Sequence, residues 1–563
     1  MQDDHERERL PGGRRGRHVH QAVAVAAEAE RRPARRRRGS GVGIGTRPQA
    51  RRVLSCAHPG APTRGTVPGA PGARARRAPR TRATASGRGA LDPERAGAAA
   101  RPDAQGSPAM TRRTTLGLLC LLLGVLCAAA PAGAATRTMT YREGPFTLGG
   151  FETKTPKTWV RAPQVNGYLT HMDARLVRAD GRRVPISRVM LHHIVFLNSS
   201  PVAARNRTSC GGRKGQPFWG TGEERQKLIL PPGYGYRLRK GDAWWMQTML
   251  MSHSLQGQRV YVEYRMRVVT GRRMTPVRPL WLRANGCSRH PSYDVFGGGA
   301  PGSIHERSHT WRMPLTGRIV AAGAHLHGSS TGMTITQPRC EDRTLVDHRS
   351  RYAAPSDPVY TLRPVLHEPG PIATGYLLSR TGIPVRAGEP LRVSGFYDNA
   401  RPHPQVMAIS HVYVAPGLPR GVPRCAPLPS DARTHWTRRD GDFTPPAVTV
   451  PLNGLDARGR VVEIDRPEGP EVVAGSEATV ALRGSRFAPP NLSVARGATV
   501  TWRWEDAARH NVLLAGGPRN VASSTRGRGA TYRRTFDTPG TYKLFCYLHP
   551  VTMQQVVEVR AGD

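Results

Sequence analysis

The sequence is short of acidic residues. Its 563 residues include 84 Lys and Arg but only 40 Asp and Glu, a formal net charge of +44 at pH 7. Spread evenly over a folded protein, that excess would indicate a nucleic-acid-binding protein. Residues 1–135 alone carry a net charge of about +16, which leaves about +28 on the rest. The rest contains no recognisable nucleic-acid-binding module, so we expect a solvated basic surface and no nucleic-acid partner.

Residues 1–109 lack lysine and any periodic apolar pattern. They hold 23 Arg and only 9 Asp and Glu in a background of Ala, Gly and Pro. Such a segment cannot bury enough apolar surface to offset its chain entropy. We therefore expect a disordered extension that does not belong to the mature protein.

The sequence also lacks an apolar run long enough for a stable membrane span. Residues 116–126 read LGLLCLLLGVL, which is shorter than the ~20 residues that a spanning helix needs. Arg112 and Arg113 precede this run, and an Ala-Gly-Ala sequence follows it at 132–134. This is the layout of a secretory signal peptide over 110–135 with translation starting at Met110, and it predicts an exported protein. The alternatives are a transmembrane anchor and, for the export route, a twin-arginine signal.

Helical periodicity is scarce beyond the signal peptide. Residues 259–269 alternate instead, with Val260, Tyr264 and Val268 among the residues on the apolar face, and residues 498–504 repeat the pattern. Both stretches predict half-buried strands, and turn signals recur at the spacing of β-sandwiches. We predict an all-β chain. The expected parts are a first sandwich at 136–280, a second at 281–425, a Pro-containing linker at 426–471 and a C-terminal sandwich at 472–563.

Cysteines are few, and their number after the signal peptide is odd. They are Cys210, Cys287, Cys340, Cys425 and Cys546. In an oxidising compartment four can pair, and the fifth needs another role such as metal ligation. Four cysteines allow three connectivities, of which we expect one bridge per middle sandwich: Cys210 with Cys287 and Cys340 with Cys425.

The odd cysteine lies in a loop rich in metal ligands. Cys546 is followed by His549 and Met553, between two predicted strands, and His510 follows the Trp502–Trp504 stretch upstream. A thiolate, two imidazoles and a thioether suit copper in electron transfer, because zinc rarely takes Met. A buried free Cys and a core Met are the structural alternative. The loop resembles that of the cupredoxins, of the plastocyanin, pseudoazurin and amicyanin kind. The resemblance implies a Greek-key β-sandwich with one type 1 copper held by these four residues.

His325 and His327 flank Leu326 at the end of a small apolar stretch. On an extended backbone, residues two apart point to the same side, so both imidazoles can face one metal ion. The alternative is a wet strand edge.

His192 and His193 are adjacent. Neighbours on a regular strand face opposite ways, so both can bind one metal only at a strand end or a bulge, or through different ring nitrogens.

The order of these histidines is similar to that of the copper type II monooxygenases, the peptidylglycine alpha-hydroxylating and dopamine beta-monooxygenase family. That resemblance covers about 150–420 and implies two jelly-roll-like sandwiches, each with one mononuclear copper. The ligand sets that it implies are His192, His193 and His253 for the first copper and His325, His327 and Met407 for the second.

This chain departs from that family at the substrate contacts. Peptide-hydroxylating relatives have an arginine two residues before the His-x-His pair, where this chain has Gly323, and beyond the Met it has Ile409 and His411. A peptidylglycine substrate is therefore unsupported. We expect the remaining histidines to be surface or packing residues, although His411 would share a face with Met407: His171, His290, His305, His309, His348, His367, His403, His411 and His435.

Together these patterns predict a secreted copper monooxygenase that inserts one oxygen atom of O2 into a C–H bond of an unknown organic substrate. Copper at His325, His327 and Met407 would activate O2, and the other middle copper would store an electron. The C-terminal copper would accept electrons from an external donor. Two alternatives are a non-catalytic copper-binding or copper-storage protein and a multicopper oxidase, a class that uses several His-x-His pairs.

Overall fold

The structure is a computed structural model that describes residues 134–205 and 215–562. The predicted N-terminal extension, nearly all of the predicted signal peptide and Cys210 lie outside the described residues. Within the described ranges, no helix has the length and hydropathy needed to cross a membrane.

The described residues form 33 strands and three very short helical segments, which confirms the predicted all-β fold. The first strands are β1 (Ala135–Leu148), β2 (Thr153–Lys154), β3 (Lys157–Val160), β4 (Gly167–Val177), β5 (Val189–Asn198), β6 (Gln216–Thr221), β7 (Leu228–Ile229), β8 (Tyr234–Leu238), β9 (Trp244–Ser252), β10 (Gln258–Thr270) and β11 (Thr275–Arg283). Helix α1 (Pro201–Arg205) follows β5.

The next strands are β12 (Tyr293–Val295), β13 (Ile304–Arg312), β14 (Gly317–Leu326), β15 (Ser330–Gln337), β16 (Arg343–Arg351), β17 (Ala373–Thr374), β18 (Tyr376–Val385), β19 (Pro390–Asp398), β20 (His403–Val406), β21 (Ala408–Pro416) and β22 (Arg433–His435). A 3-10 turn (Pro338–Cys340) follows β15, and α2 (Pro358–Thr361) follows β16.

The last strands are β23 (Leu452–Leu455), β24 (Val461–Ile464), β25 (Glu471–Val473), β26 (Glu477–Arg483), β27 (Arg486–Ala488), β28 (Asn491–Val494), β29 (Ala498–Trp504), β30 (Leu513–Gly516), β31 (Thr531–Phe536), β32 (Gly540–Phe545) and β33 (Gln554–Val559).

One ten-stranded sheet runs through the whole middle part of the chain. Its order is β1-β10-β4-β8-β11-β21-β14-β18-β22, with β7 beside β4. The expected boundary between the two middle sandwiches, at 280/281, falls inside β11, which pairs with β8 in parallel and with β21 antiparallel. The two halves therefore share a continuous hydrogen-bonded sheet.

Each half of that sheet packs against a smaller one. The sheet β2-β9-β5-β6, with β3 beside β9, encloses one hydrophobic core, and the sheet β13-β19-β15-β16-β17 encloses another. The alternation predicted for 259–269 is confirmed in β10, where Val260, Tyr264 and Val268 are buried. Burial of one face is what holds the register of these strands, because a slip of one residue would expose that whole apolar set.

The C-terminal part is a separate two-sheet sandwich. The sheets β25-β28-β33-β32-β30 and β27-β26-β29-β31 enclose a core that contains Trp502 and Trp504 of β29, as the alternation predicts. This core also contains Cys546 and Met553.

The segment expected to be a linker carries structure of its own. Strand β22 joins the ten-stranded sheet, and β23 pairs with β24 as a hairpin. Leu452 of β23 packs in one buried cluster with Phe545 and Val556 of the C-terminal sandwich.

The sequence predicts two disulfides, Cys210–Cys287 and Cys340–Cys425. The Cys340–Cys425 bridge is confirmed, with sulfurs 2.04 Å apart. Cys287 is also disulfide-bonded, but its predicted partner lies outside the described residues. Cys546 is free and buried.

Candidate metal centres

The C-terminal centre is built from one tight loop that follows β32. Within it the Met553 N–H donates to the His549 carbonyl at 3.0 Å, the His549 N–H to the Cys546 carbonyl at 3.0 Å, and the Cys546 N–H to the Met553 carbonyl at 3.1 Å. These three hydrogen bonds fold the loop back on itself, so the side chains of Cys546, His549 and Met553 leave the backbone at neighbouring positions. His510 enters from the other side of the sandwich.

The donor atoms of this centre face one another. Nδ1 of His510 lies 3.2 Å from Nδ1 of His549, and the Cys546 sulfur lies 3.8 Å from the latter atom. Nε2 of His510 contacts a carboxylate oxygen of Asp506 at 3.0 Å, which leaves Nδ1 for a metal.

The thiol of Cys546 shows why a cation fits here. Burial raises its pKa to about 11, because a thiolate is costly in an apolar core. The backbone N–H of Asn511 donates to the sulfur at 3.5 Å, and backbone hydrogen bonds from Leu548 and His549 also oppose the shift. A bound cation would reverse this cost by holding the sulfur as thiolate.

A buried sulfur, two imidazole nitrogens and the fully buried Met553 in a small β-sandwich define a type 1 copper centre of the cupredoxin class. The family model for copper binding proteins of the plastocyanin/azurin family matches residues 476–560. Amicyanin-alpha of Methylorubrum extorquens is 33% identical over 90 residues, which is 16% of this chain and 75% of that protein. Through this domain the chain belongs to the plastocyanin/azurin family of copper-binding proteins.

Solved amicyanin structures are similar to the same extent. One Cu(I) amicyanin variant is 28% identical, with 15% of this chain and 83% of that chain covered and a TM-score of 0.14. A second Cu(I) variant is 31% identical, with 16% and 85% covered and a TM-score of 0.14. The match to the plastocyanin/azurin family model and the identity to amicyanin-alpha make the C-terminal domain a copper-binding electron-transfer module.

A second set of donors lies in the middle part, starting with His192 and His193 on β5. The pairing of β5 with β9 shifts register between Leu191 and His193, so a β-bulge lets both adjacent rings turn to one side. Their Nδ1 atoms are 3.1 Å apart. A bulge is one of the arrangements that would allow adjacent histidines on a strand to bind one metal ion.

His325 and His327, at the end of β14, lie beside the first pair. The His325 ring centroid is 6.1 Å from that of His193, and His327 is 5.5 Å from His192. The resemblance to the copper type II monooxygenases implies that these pairs belong to two different coppers. The structure brings all four imidazoles into one histidine cluster.

His367 is a fifth member, which sequence reasoning placed among surface or packing residues. Its ring centroid is 4.8 Å from that of His192, and its Nε2 contacts a Glu223 oxygen at 2.9 Å. The same oxygen is 3.4 Å from Nε2 of His192, and the Gly370 N–H donates to the other carboxylate oxygen at 2.9 Å. His367 lies in a loop without strand periodicity, so no local signal marks it. We use "histidine cluster" below for His192, His193, His325, His327 and His367.

Glu224 orients the other side of the cluster. This fully buried carboxylate lies 3.3 Å from Nδ1 of His325 and accepts the Gly222 N–H at 2.6 Å. Nε2 of His325 and Nε2 of His327 are buried without a hydrogen-bond partner. Since buried polar atoms are normally paired, these orphan nitrogens fit a metal ion better than a structural network.

Three imidazoles of the cluster, those of His192, His193 and His327, are held neutral. Burial lowers the pKa of His193 to about 3, with a further contribution from His325. Burial and the neighbouring rings lower the pKa of His192 and His327 well below the usual value. Neutral imidazole is the form that binds metals.

The two remaining predicted ligands lie near the cluster. His253 is buried with both ring nitrogens unpaired, and burial, then the charge of His367, lowers its pKa to about 4. Met407 lies one position beyond the Leu326–Ala408 pair of β14 and β21, opposite His327.

Among the other histidines, His348 is a packing residue, as expected, bonded to the Gly375 carbonyl and the Ser410 hydroxyl. His403 is buried against Glu368 at 2.7 Å. His411 stacks on Trp281 with centroids 4.0 Å apart, and its Nε2 is unpaired.

A cleft of about 1280 Å³ opens over the histidine cluster. The middle part supplies its floor, with His193, His327 and Met407, and the copper-binding domain supplies part of the opposite wall, with Tyr547 and Leu548. The cleft is large enough for a small organic molecule.

The two centres also meet through packing. Val551, from the ligand loop, belongs to one buried apolar cluster with Met190, Met251 and Leu366. Burial, then His510, lowers the pKa of His549, while the Glu152 carboxylate of the middle part opposes that shift. The ligand loop of the type 1 centre therefore faces the segments that carry the histidine cluster.

Proposed function

We propose that the protein is a copper-dependent oxidoreductase that hydroxylates a C–H bond of an organic substrate with O2, using electrons relayed by its own type 1 centre. The observation that carries this proposal is the histidine cluster lying in a cleft that the copper-binding domain helps to enclose. Copper held by the cluster would supply the one-electron redox chemistry that O2 activation requires.

The packing between the centres supports an electron relay. Val551 lies between two type 1 ligands in sequence, Met190 is two residues from His192, and Leu366 is adjacent to His367. Because these three apolar side chains share one buried cluster, the path between the centres crosses protein atoms in contact. An external donor would reduce the type 1 centre.

The protein's own groups prepare the second centre. Glu223 orients His192 and His367, and Glu224 orients His325, so the rings point to the cluster without rearranging. Ile194 and Ile409 add apolar surface to the cleft, which favours a substrate with C–H bonds to offer and displaces water from the floor.

The resemblance of the histidine order to the copper type II monooxygenases supports the choice of a hydroxylation. The proposed O2-activating ligands are His325, His327 and Met407, and the proposed electron-storing ligands are His192, His193 and His253. Because the two histidine pairs lie in one cluster, little separates the proposed O2-activating pair from the proposed electron-storing pair.

The test is O2 consumption by copper-loaded protein with a reductant, followed by mass analysis of substrates incubated under ¹⁸O2. One labelled oxygen atom per product is expected. Met407→Ala should remove hydroxylation while the type 1 absorption band is retained. Unchanged turnover in that variant would overturn the assignment of Met407.

The merged cluster also favours a second candidate, an oxidase that reduces O2 to water without hydroxylating anything. Five imidazoles around one point are suited to more than one copper. Reductant-dependent O2 uptake at four electrons per O2, with no labelled product, would identify it. Full copper loading with no O2 uptake would instead identify a copper-binding or storage protein.

A further inference from the structure

Arg283, the last residue of β11, lines the cleft on the same sheet face as the histidine cluster. The strand registers pair Arg283 with Ile409 and Ile409 with His325. Residues directly opposite across a sheet share a face, so these three side chains form one row over three neighbouring strands. With strands about 4.8 Å apart, the ends of that row are about 10 Å apart.

The guanidinium of Arg283 is buried without a counter-ion. The residue is 7% exposed, one terminal nitrogen donates to the Ser288 carbonyl at 2.9 Å, and its Nε has no partner. No carboxylate forms an ion pair with it among residues 134–205 and 215–562. Burial lowers its pKa, with no acidic neighbour to offset the shift.

Two other arginines, each with a side chain about one-third exposed, have a carboxylate partner. Arg401, in the same cleft, pairs with Glu368 at 3.0 Å, and Arg175 pairs with Glu263 at 2.5 Å. An unpaired buried cation is costly. At the edge of a cleft, an anion that enters and pairs with the guanidinium offsets this cost.

The position where peptide-hydroxylating relatives carry an arginine cannot serve here. A Cβ at Gly323 would lie 2.7 Å from the Gln226 side-chain oxygen and 2.8 Å from the Tyr376 ring. Gln226 is fixed there because its oxygen accepts from the Ala324 N–H and the Thr374 hydroxyl, both at 3.0 Å.

We propose that Arg283 binds the carboxylate of an organic acid whose apolar body lies over Ile409 and Trp281 and extends toward His325. This inference deepens the proposed function, since it names a substrate class for the same cleft. A bidentate guanidinium–carboxylate pair would set the orientation of the molecule. The separation of about 10 Å along the row places the carboxylate several bonds from the carbon nearest the cluster.

The test is equilibrium binding to copper-loaded full-length protein under anaerobic conditions, which requires no turnover. The probes are ω-phenylalkanoates from phenylacetate to phenylhexanoate, each beside its uncharged primary amide. We expect the acids to bind more tightly than the amides, and Arg283→Gln to weaken acid binding about ten- to a hundred-fold while leaving amide binding unchanged.

Arg283→Lys, which keeps the charge, should recover part of the preference. Arg509→Gln is the matched control, because it removes one exposed positive charge from the opposite wall of the cleft and should change acid binding by less than two-fold. Denaturant unfolding and the copper content of the histidine cluster report whether the middle part of each variant is folded.

Equal binding of acids and amides, binding by neither series, or an unchanged preference in Arg283→Gln would overturn the inference. Selective acid binding without any O2 uptake would leave the anion site standing and remove the proposed function instead. The two claims therefore fail separately.

Discussion

The type 1 centre and the histidine cluster are assembled in opposite ways. Three of the four type 1 ligands lie within the eight residues from Cys546 to Met553, and their loop is closed by its own backbone bonds. The histidine cluster draws on β5, β14 and a loop at His367, brought together only by the packing of different sheets. The first centre is a local property of the chain, whereas the second depends on the tertiary fold.

The carboxylates that orient the histidines differ in the same way, one being local in sequence and the other distant. Asp506 lies four residues before His510 and is partly exposed. Glu224 is fully buried and 101 residues from His325. A local centre should therefore survive changes that dismantle the distant one, and the predictions below probe that difference.

The largest expected effect is that of Cys546→Ser. Loss of the one free thiol among residues 134–205 and 215–562 should abolish the intense visible absorption of the type 1 centre and remove about one copper per chain. The cluster should keep its copper, because none of its residues belongs to the ligand loop. Absorption spectroscopy and metal analysis measure both quantities. Loss of all copper would show that the centres do not form independently.

His367→Ala should affect only the distant centre. Removing a ring 4.8 Å from His192 should weaken copper binding by the cluster by at least ten-fold and leave the type 1 band unchanged. Competitive chelation gives the affinity. His435→Ala, at an exposed position on β22, is the control and should change neither quantity. An unaltered cluster affinity would exclude His367 from the ligands.

Glu224→Gln and Asp506→Asn compare the two orienting carboxylates. The buried Glu224 should matter more, with about a ten- to hundred-fold loss of copper affinity at the cluster. Asp506, which is partly exposed to water, should cost the type 1 centre less than ten-fold. Isothermal titration of the two variants provides the comparison. A larger loss of copper affinity in Asp506→Asn than in Glu224→Gln would contradict the proposal that the buried carboxylate matters more.

The smallest effect is expected for Val551→Ala, at the contact between the centres. Truncation of this buried side chain should lower the free energy of unfolding by about 1–2 kcal/mol. It should also slow electron transfer from the type 1 centre without changing either copper affinity. Denaturant unfolding and stopped-flow absorption measure these. An unchanged transfer rate beside the expected loss of stability would place the electron path elsewhere.

The sequence predicts what depends on near neighbours. The apolar face of β10, the inward tryptophans of β29 and the type 1 loop all follow from spacing, because period-two alternation and loop ligands need no distant partner. The expectation that a bulge could bring His192 and His193 to one side also depends only on near neighbours. The register shift in the pairing of β5 with β9 agrees with it.

Contacts between remote segments escape this reasoning. Nothing around His367 or Glu223 indicates that they meet across 144 residues. The sharing of β11 between two halves of one sheet is equally hidden, because periodicity identifies a strand but not its neighbours. The same limitation led the two histidine pairs to be treated as separate sites.

The most direct test of the electron relay follows the type 1 band after fully reduced, copper-loaded protein is mixed with O2. The relay predicts rapid first-order reoxidation of the type 1 centre at a rate independent of protein concentration. A double variant, His192→Ala with His193→Ala, should retain a reduced type 1 centre over the same period. Equal reoxidation rates in the two proteins would contradict the account.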